Sequence, residues 1–240
     1  MLMVRIVTNI TKEYDSMIKV RVFKRPRHYV TNKDVVHFYH LREELKDFVP
    51  SYSSILRTKT TIRDIVLCND FELFATFTFD PSKVDRYNYH ACSYKMRAWL
   101  HHQKDLATLR GKDFKYLIIP ERHKDGAIHF HALLSGYSST LKDSGLKTSS
   151  LRPIYNITSF RSGFTTAVPI DSKESVSSYV TKYITKDLIS EFKKQRFFCS
   201  KGLLRPTKVI NSKYIKSVPP IFRQPVSEGS DYFDFILPKY

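Results

Sequence analysis

Two groups of side chains have the types and spacing for chemistry. In AIHFHALL (127–134) His129 and His131 stand one residue apart within an apolar run, and in YVTKYITK (179–186) Tyr179 and Tyr183, like Lys182 and Lys186, stand four apart. Residues two apart on a strand share a face, about 7 Å apart along the backbone, a spacing at which two imidazoles can serve one metal ion. Asp125-Gly126 before the run is a hairpin signal. With Lys124-Asp125-Gly126 as a three-residue loop and Gly126 left-handed, Glu121 lies directly across from His129. Two nitrogens and one oxygen, with positions left open, suit a catalytic divalent ion, Mg²⁺ or Mn²⁺ ahead of Zn²⁺, rather than a closed structural site. On a helix the two tyrosines fall on one stripe with the lysines beside them. A phenol becomes a nucleophile when ammonium groups favour its phenolate or when a metal neutralises the phosphate it attacks. Each signal has a plainer alternative: hydrogen-bonded histidines on a half-exposed strand, and an amphipathic helix with aromatic core positions and solvated lysines.

The elements that must carry these groups are legible from periodicity. ELFATFTF (72–79) alternates, with Leu73, Ala75, Phe77 and Phe79 on one side and Phe74, Thr76 and Thr78 on the other, and stops at Asp80-Pro81. Residues 86–110 place Cys92, Met96, Trp99, Leu100, Gln103 and Leu106 at helical spacing, with Gly111 where a helix C′ residue belongs. FKYLIIPE (114–121) and AIHFHALLSG (127–136) form a hairpin. A polar loop follows at 138–150, then a second hairpin, PIYNITSF and FTTAVPI, around Arg161-Ser162-Gly163. Asp171 or Ser172 caps a helix over 172–189, where Val176, Val180, Ile184 and Leu188 repeat every four residues. The order predicts an α+β fold, a central antiparallel sheet of about five strands flanked by helices.

Around this core (68–190), residues 1–67 read as a basic extension, with a strand-like IKVRVFKRPRHYV (18–30) and a helical pattern over 32–48. Residues 191–240 read as a second basic extension, and its stretch 191–216 holds eight basic residues and one acid. Across 240 residues, 40 Lys and Arg oppose 23 Asp and Glu, a net charge of +17 that attracts polyanions and disfavours basic partners. Lys193, Lys194 and Arg196, with Arg21, Lys24 and Arg25, are the candidate phosphate contacts. A membrane partner is disfavoured, since no apolar stretch approaches the roughly 18 residues a spanning helix needs and Arg5 interrupts the apolar start. Three dispersed cysteines, Cys68, Cys92 and Cys199, suggest neither a disulfide framework nor a zinc ribbon and fit a reducing cytoplasm.

Taken in order, FATFTF, HFH and the doubled Tyr-x-x-Lys of YVTKYITK resemble the motifs of the HUH endonucleases, the rolling-circle replication initiators of phages, plasmids and circular single-stranded DNA viruses. The tandem tyrosines are most similar to the two-tyrosine phage type. The resemblance covers about residues 70–190, and implies an HUH core, a ferredoxin-like sheet variant. It also implies Glu121, His129 and His131 as metal ligands and Tyr179 and Tyr183 as nucleophiles assisted by Lys182 and Lys186. Its further implications are nicking of single-stranded or hairpin origin DNA, a 5′-phosphotyrosyl intermediate, a free 3′-hydroxyl, and later rejoining. Host helicase and polymerase would be partners in a bacterial cytoplasm. No nucleotide-binding loop of the Gly-x-x-x-x-Gly-Lys type is present. The alternatives are a non-catalytic nucleic-acid-binding module, a cupin-like oxygenase, an RNA-processing enzyme, and a relaxase or transposase of the same superfamily. In cupins the carboxylate follows the histidines, and in relaxases the tyrosine comes early; this chain has neither order.

Overall fold

The computed structural model describes residues 3–31, 52–184, 196–212, 226–229 and 231–239. The chain divides into two compact units: an inner one, residues 50–203, and an outer one, residues 1–49 with 204–240, so called after their order in the sequence. This division differs from boundaries at 67 and 190: the helix at 52–67 joins the inner unit, and the two flanking segments pair with each other. The helical pattern at 32–48, with Lys186, Lys193 and Lys194, lies outside the described residues.

The outer unit contains β1 (Met3–Glu13) and β2 (Met17–Thr31). The inner unit begins with α1 (Tyr52–Leu67) and continues through β3 (Leu73–Phe79), α2 (Tyr89–Leu109), β4 (Lys115–Arg122) and β5 (Ile128–Ser135). Then come β6 (Leu141–Lys147), β7 (Pro153–Ile157), β8 (Gly163–Pro169), α3 (Lys173–Val180) and β9 (Phe198–Cys199). The fold is α+β, with an antiparallel sheet of seven strands ordered β6-β7-β8-β3-β5-β4-β9.

The alternation of β3 is realised residue by residue: Leu73, Ala75, Phe77 and Phe79 are buried, while Phe74, Thr76 and Thr78 are partly exposed. The first set faces α2, where the Phe77 and Trp99 rings are 4.9 Å apart and Phe79 meets Phe130 at 5.9 Å. Helix α2 starts at Asn88, whose side chain accepts the backbone N–H groups of His90 and Ala91, and ends before Gly111 at φ +67°. Its buried stripe holds Cys92, Met96, Trp99, Leu100 and Gln103, with Ala107 in the place expected for Leu106. Burial pushes the Cys92 thiol up to about 12, so this sulfur packs rather than reacts.

Two expectations are corrected. The polar stretch 138–150 contains β6, an edge strand paired irregularly with β7. Its exposed Lys142, Asp143 and Lys147 conceal the strand signal because an edge strand with no buried face needs no apolar alternation. The helix expected over 172–189 closes at Val180 within the described residues and continues as a 3₁₀ turn, Thr181–Tyr183. The Thr181 hydroxyl donates to the Ser178 carbonyl, three residues back, which favours the tighter turn at a β-branched residue. The start is as expected: Ser172 caps it, accepting the Ser175 N–H.

In the outer unit, β10 (Thr207–Ile210), β11 (Ser227–Glu228) and β12 (Tyr232–Pro238) join β1 and β2 in a five-stranded sheet ordered β10-β1-β2-β12-β11. One face buries Ile18, Val20 and Leu237, with Val22 and Phe235 packed beside them. Asp234 is 2% exposed and accepts from Arg21 Nε at 2.7 Å and Nη2 at 2.8 Å. Lys19 Nζ lies 3.1 Å from the same carboxylate.

Candidate active site

The face of the inner sheet opposite α2 carries the candidate residues. Register places Glu121 of β4 directly across from His129 of β5, and the same histidine across from Thr78 of β3. The hairpin between β4 and β5 has the expected loop, with Gly126 at φ +86° and its N–H bonded to the His123 carbonyl. Asp125 closes that loop by accepting the Ala127 N–H, which holds its carboxyl below the usual range, helped by His123 and Arg86.

His131 is the centre of the cluster. It is 5% exposed, with Nε2 2.6 Å from Glu121 Oε2 and Nδ1 3.2 Å from the Thr76 hydroxyl. A neutral ring that donates Nε2–H to the carboxylate has Nδ1 left to accept from Thr76. One ring face stacks on Tyr183, with centroids 3.6 Å apart, and Phe74 lies parallel at 5.9 Å. His129 is turned toward His123, stacked at 4.9 Å, and burial lowers its pKa.

Tyr179 and Tyr183 remain neighbours although the helix tightens between them. Their rings meet edge to face at 5.5 Å, and Tyr179 also meets Phe74 at 5.3 Å. Tyr179 is 42% exposed, with Lys182 Nζ over its ring at 5.2 Å. Burial raises the pKa of Tyr183, aided by its hydrogen bond with Tyr179 and by the charge of Glu121, so its phenol is neutral in the free protein. Helix α1 packs against α3 and the turn after it. Beside Tyr179 opens a cleft of about 500 Å³, walled by Phe74, Val168, Ile170 and Val176, with Ser172 and Ser175 at the start of α3.

The structure therefore brings together Glu121, His131, Tyr179, Tyr183 and Lys182, with His129 on the same sheet face but directed to His123. Among the described residues no group of three or more His, Cys, Asp or Glu is placed to hold a metal ion. The donor chemistry and the shared face suit a divalent cation; in this arrangement Glu121 engages His131 instead. Sequence reasoning missed Thr76, Phe74 and His123 as supports of the cluster. The parity of β3 offered the first two; His123 gave no signal.

The candidate phosphate contacts are engaged to different degrees. Arg196 donates to the Ser54 carbonyl and the Thr58 hydroxyl of α1, and burial lowers its pKa. In the outer unit Arg21 is bound to Asp234 and lies over the Tyr232 ring at 3.9 Å. Lys24 lies over Phe233 at 4.7 Å, and Arg25 is exposed. Among the described residues no helix is long and apolar enough to cross a membrane.

Residues 72–188, just under half of the chain, match a family model for the replication-associated protein of the ORF2 type. This stretch contains every candidate catalytic and metal-ligating residue. The match supports a replication-initiator family, and with it a role in replication and an interaction with DNA. No curated protein and no solved structure matches the chain.

Proposed function

We propose that this replication-associated chain is an HUH-type initiator of the phage or plasmid kind, which nicks single-stranded or hairpin origin DNA by tyrosine attack. The observation that carries the reading is the packing of the Tyr183 ring on His131 at 3.6 Å, with Glu121 on that histidine's Nε2. A tyrosine pair and a histidine–carboxylate pair then occupy one site within the stretch matched by a replication family.

In this mechanism a phenolic oxygen of Tyr183 forms a bond to the scissile phosphorus. The bond from phosphorus to the 3′-oxygen breaks, and that oxygen leaves as a 3′-hydroxyl after taking up a proton. The other product is a 5′-phosphotyrosine whose bond energy is kept for rejoining. The raised pKa of Tyr183 means that the phenol must lose its proton after DNA binds, and Lys182 at the rim offsets the charge that develops. Lys186 would act likewise. Tyr179, one turn away and more exposed, takes the second transfer. Glu121, His129 and His131 would hold Mg²⁺ or Mn²⁺, which when bound supplies charge neutralisation at a non-bridging phosphate oxygen. The Thr76 hydroxyl would then accept Nδ1–H and leave Nε2 of His131 as the ligand atom. The free 3′-hydroxyl would prime host polymerase, with a host helicase opening the duplex in the bacterial cytoplasm.

The test is covalent trapping. The protein and its Tyr179→Phe, Tyr183→Phe and double variants are incubated with labelled single-stranded oligonucleotides, with Mn²⁺ or with chelator, and resolved on denaturing gels. The expected result is a metal-dependent protein–DNA adduct, reduced at least tenfold in Tyr183→Phe and absent from the double variant. Tight, metal-independent binding without an adduct on any DNA, the protein's own replicon included, would replace the nuclease with a non-catalytic binding module.

A further inference from the structure

Outside the stretch matched by the family, the sheet of the outer unit aligns charges that are far apart in sequence. Lys12 of β1 stands directly opposite Lys208 of β10 on one side and Lys19 of β2 on the other. Three lysines therefore run in one row across neighbouring strands, about 4.8 Å from strand to strand and on one face. Arg21, two residues beyond Lys19, adds a fourth cation to that face. The opposite face buries Ile18, Val20 and Leu237. On the cationic face Lys208 is exposed, and Lys12, Lys19 and Arg21 are partly so.

Register assigns Asp234 to this face as its one carboxylate among the described residues, and Arg21 and Lys19 already share it. Like charges directly opposite on a sheet destabilise it. A row of three lysines is thus unfavourable in isolation and becomes favourable when an outside anion spans it. The row is about 10 Å long, the length of about three phosphates along one strand at roughly 3.4 Å each. The charge of +17 favours a polyanion as that partner.

We propose that the row Lys208–Lys12–Lys19 is a seat for the DNA phosphate backbone, contacting it without regard to base sequence. The inference rests on DNA as partner, which the family match implies, and not on the nicking chemistry.

The test is the salt dependence of binding by Lys12→Gln/Lys208→Gln, with Lys19 kept because it holds Asp234. Each phosphate contact contributes about 0.9 to the slope of log K against log salt on duplex and about 0.7 on single strands. The double variant is expected to lower the slope by about 1.8 on mixed-sequence duplex and about 1.4 on single strands, with affinity falling on the order of tenfold at physiological salt. The charge-preserving Lys12→Arg/Lys208→Arg variant should keep the original slope, and neither variant should lower the thermal midpoint without DNA. An unchanged slope in a folded glutamine variant overturns the proposal. So does loss of binding to phosphatidylserine vesicles with DNA binding intact. Adduct formation on a saturating short oligonucleotide is scored in the same preparations, so a failure of the nicking chemistry shows there and leaves the slope to decide this inference.

Discussion

Replacing Asp234 by asparagine removes one charge from the outer unit and leaves the shape of the side chain in place. Asp234 is 2% exposed and accepts two hydrogen bonds from Arg21, with Lys19 Nζ 3.1 Å away. Burial by itself would raise the carboxyl pKa, but the Arg21 hydrogen bonds and the Lys19 charge outweigh it and hold the group below its ordinary value. Removing one partner of a buried ion pair costs about 3–5 kcal/mol. Arg21 and Lys19 are about a third exposed, at 38% and 31%, so water can solvate what the carboxylate releases. The expected loss is therefore smaller, about 2–3 kcal/mol. At about 4–8 °C per kcal/mol for a domain of roughly 60–100 residues, the midpoint of the outer unit should fall by about 8–24 °C.

The pH dependence fixes the sign. A carboxyl whose folded pKa is depressed stabilises fully above its unfolded pKa, about 3.9, and the contribution is lost as pH falls through the lower folded value. The gap between the unmodified protein and Asp234→Asn should accordingly be constant from about pH 5 to 8 and close below about pH 4. Urea unfolding followed by far-ultraviolet circular dichroism at several pH values measures both quantities. A loss below about 0.5 kcal/mol at pH 7, or a gap that stays open in acid, would refute the reasoning.

Two further perturbations probe the inner unit. A Cβ on Gly163 would meet the Thr78 carbonyl oxygen at 2.0 Å and the Phe79 Cα at 2.8 Å, both backbone, so Gly163→Ala must move β3 against β8. The expected loss is about 1–3 kcal/mol, or about 2–12 °C in a thermal melt, and an unshifted midpoint would contradict the pairing of Gly163 with Phe79. Thr76→Val removes the hydroxyl 3.2 Å from His131 Nδ1. It should slow single-turnover adduct formation by about tenfold or more, with little change in DNA affinity. A rate within twofold of the unmodified protein would show that Thr76 does not orient His131.

What was legible in the sequence was whatever a local pattern decides. The β3 alternation and the Gly126 loop fixed parity and register, so the Glu121–His129 pairing followed from residues within nine positions of each other. The spacing of Tyr179 and Tyr183 predicted adjacent rings, and they are adjacent, even though the turn after Val180 is tighter than the expected helix. Side-chain aim was not legible. Whether His131 meets Glu121 or His129 first depends on Thr76, Phe74 and Tyr183, which come from other places in the chain. Edge strand β6 was hidden by its polarity, and the outer sheet by distance: Arg21 finds Asp234 across 213 positions, and nothing local to either residue announces it.

That distance has a consequence for how the chain is made. Strand β2 is synthesised early, yet its neighbour β12 emerges only after all of residues 50–203. On the ribosome the inner unit can therefore complete its sheet while β1 and β2 wait with one edge unpaired, a hairpin of limited stability by itself. Folding is nested, with the segment that carries the tyrosines closing first. The lysine row on the outer sheet has its Lys12–Lys19 half from the start and is completed when β10 brings Lys208.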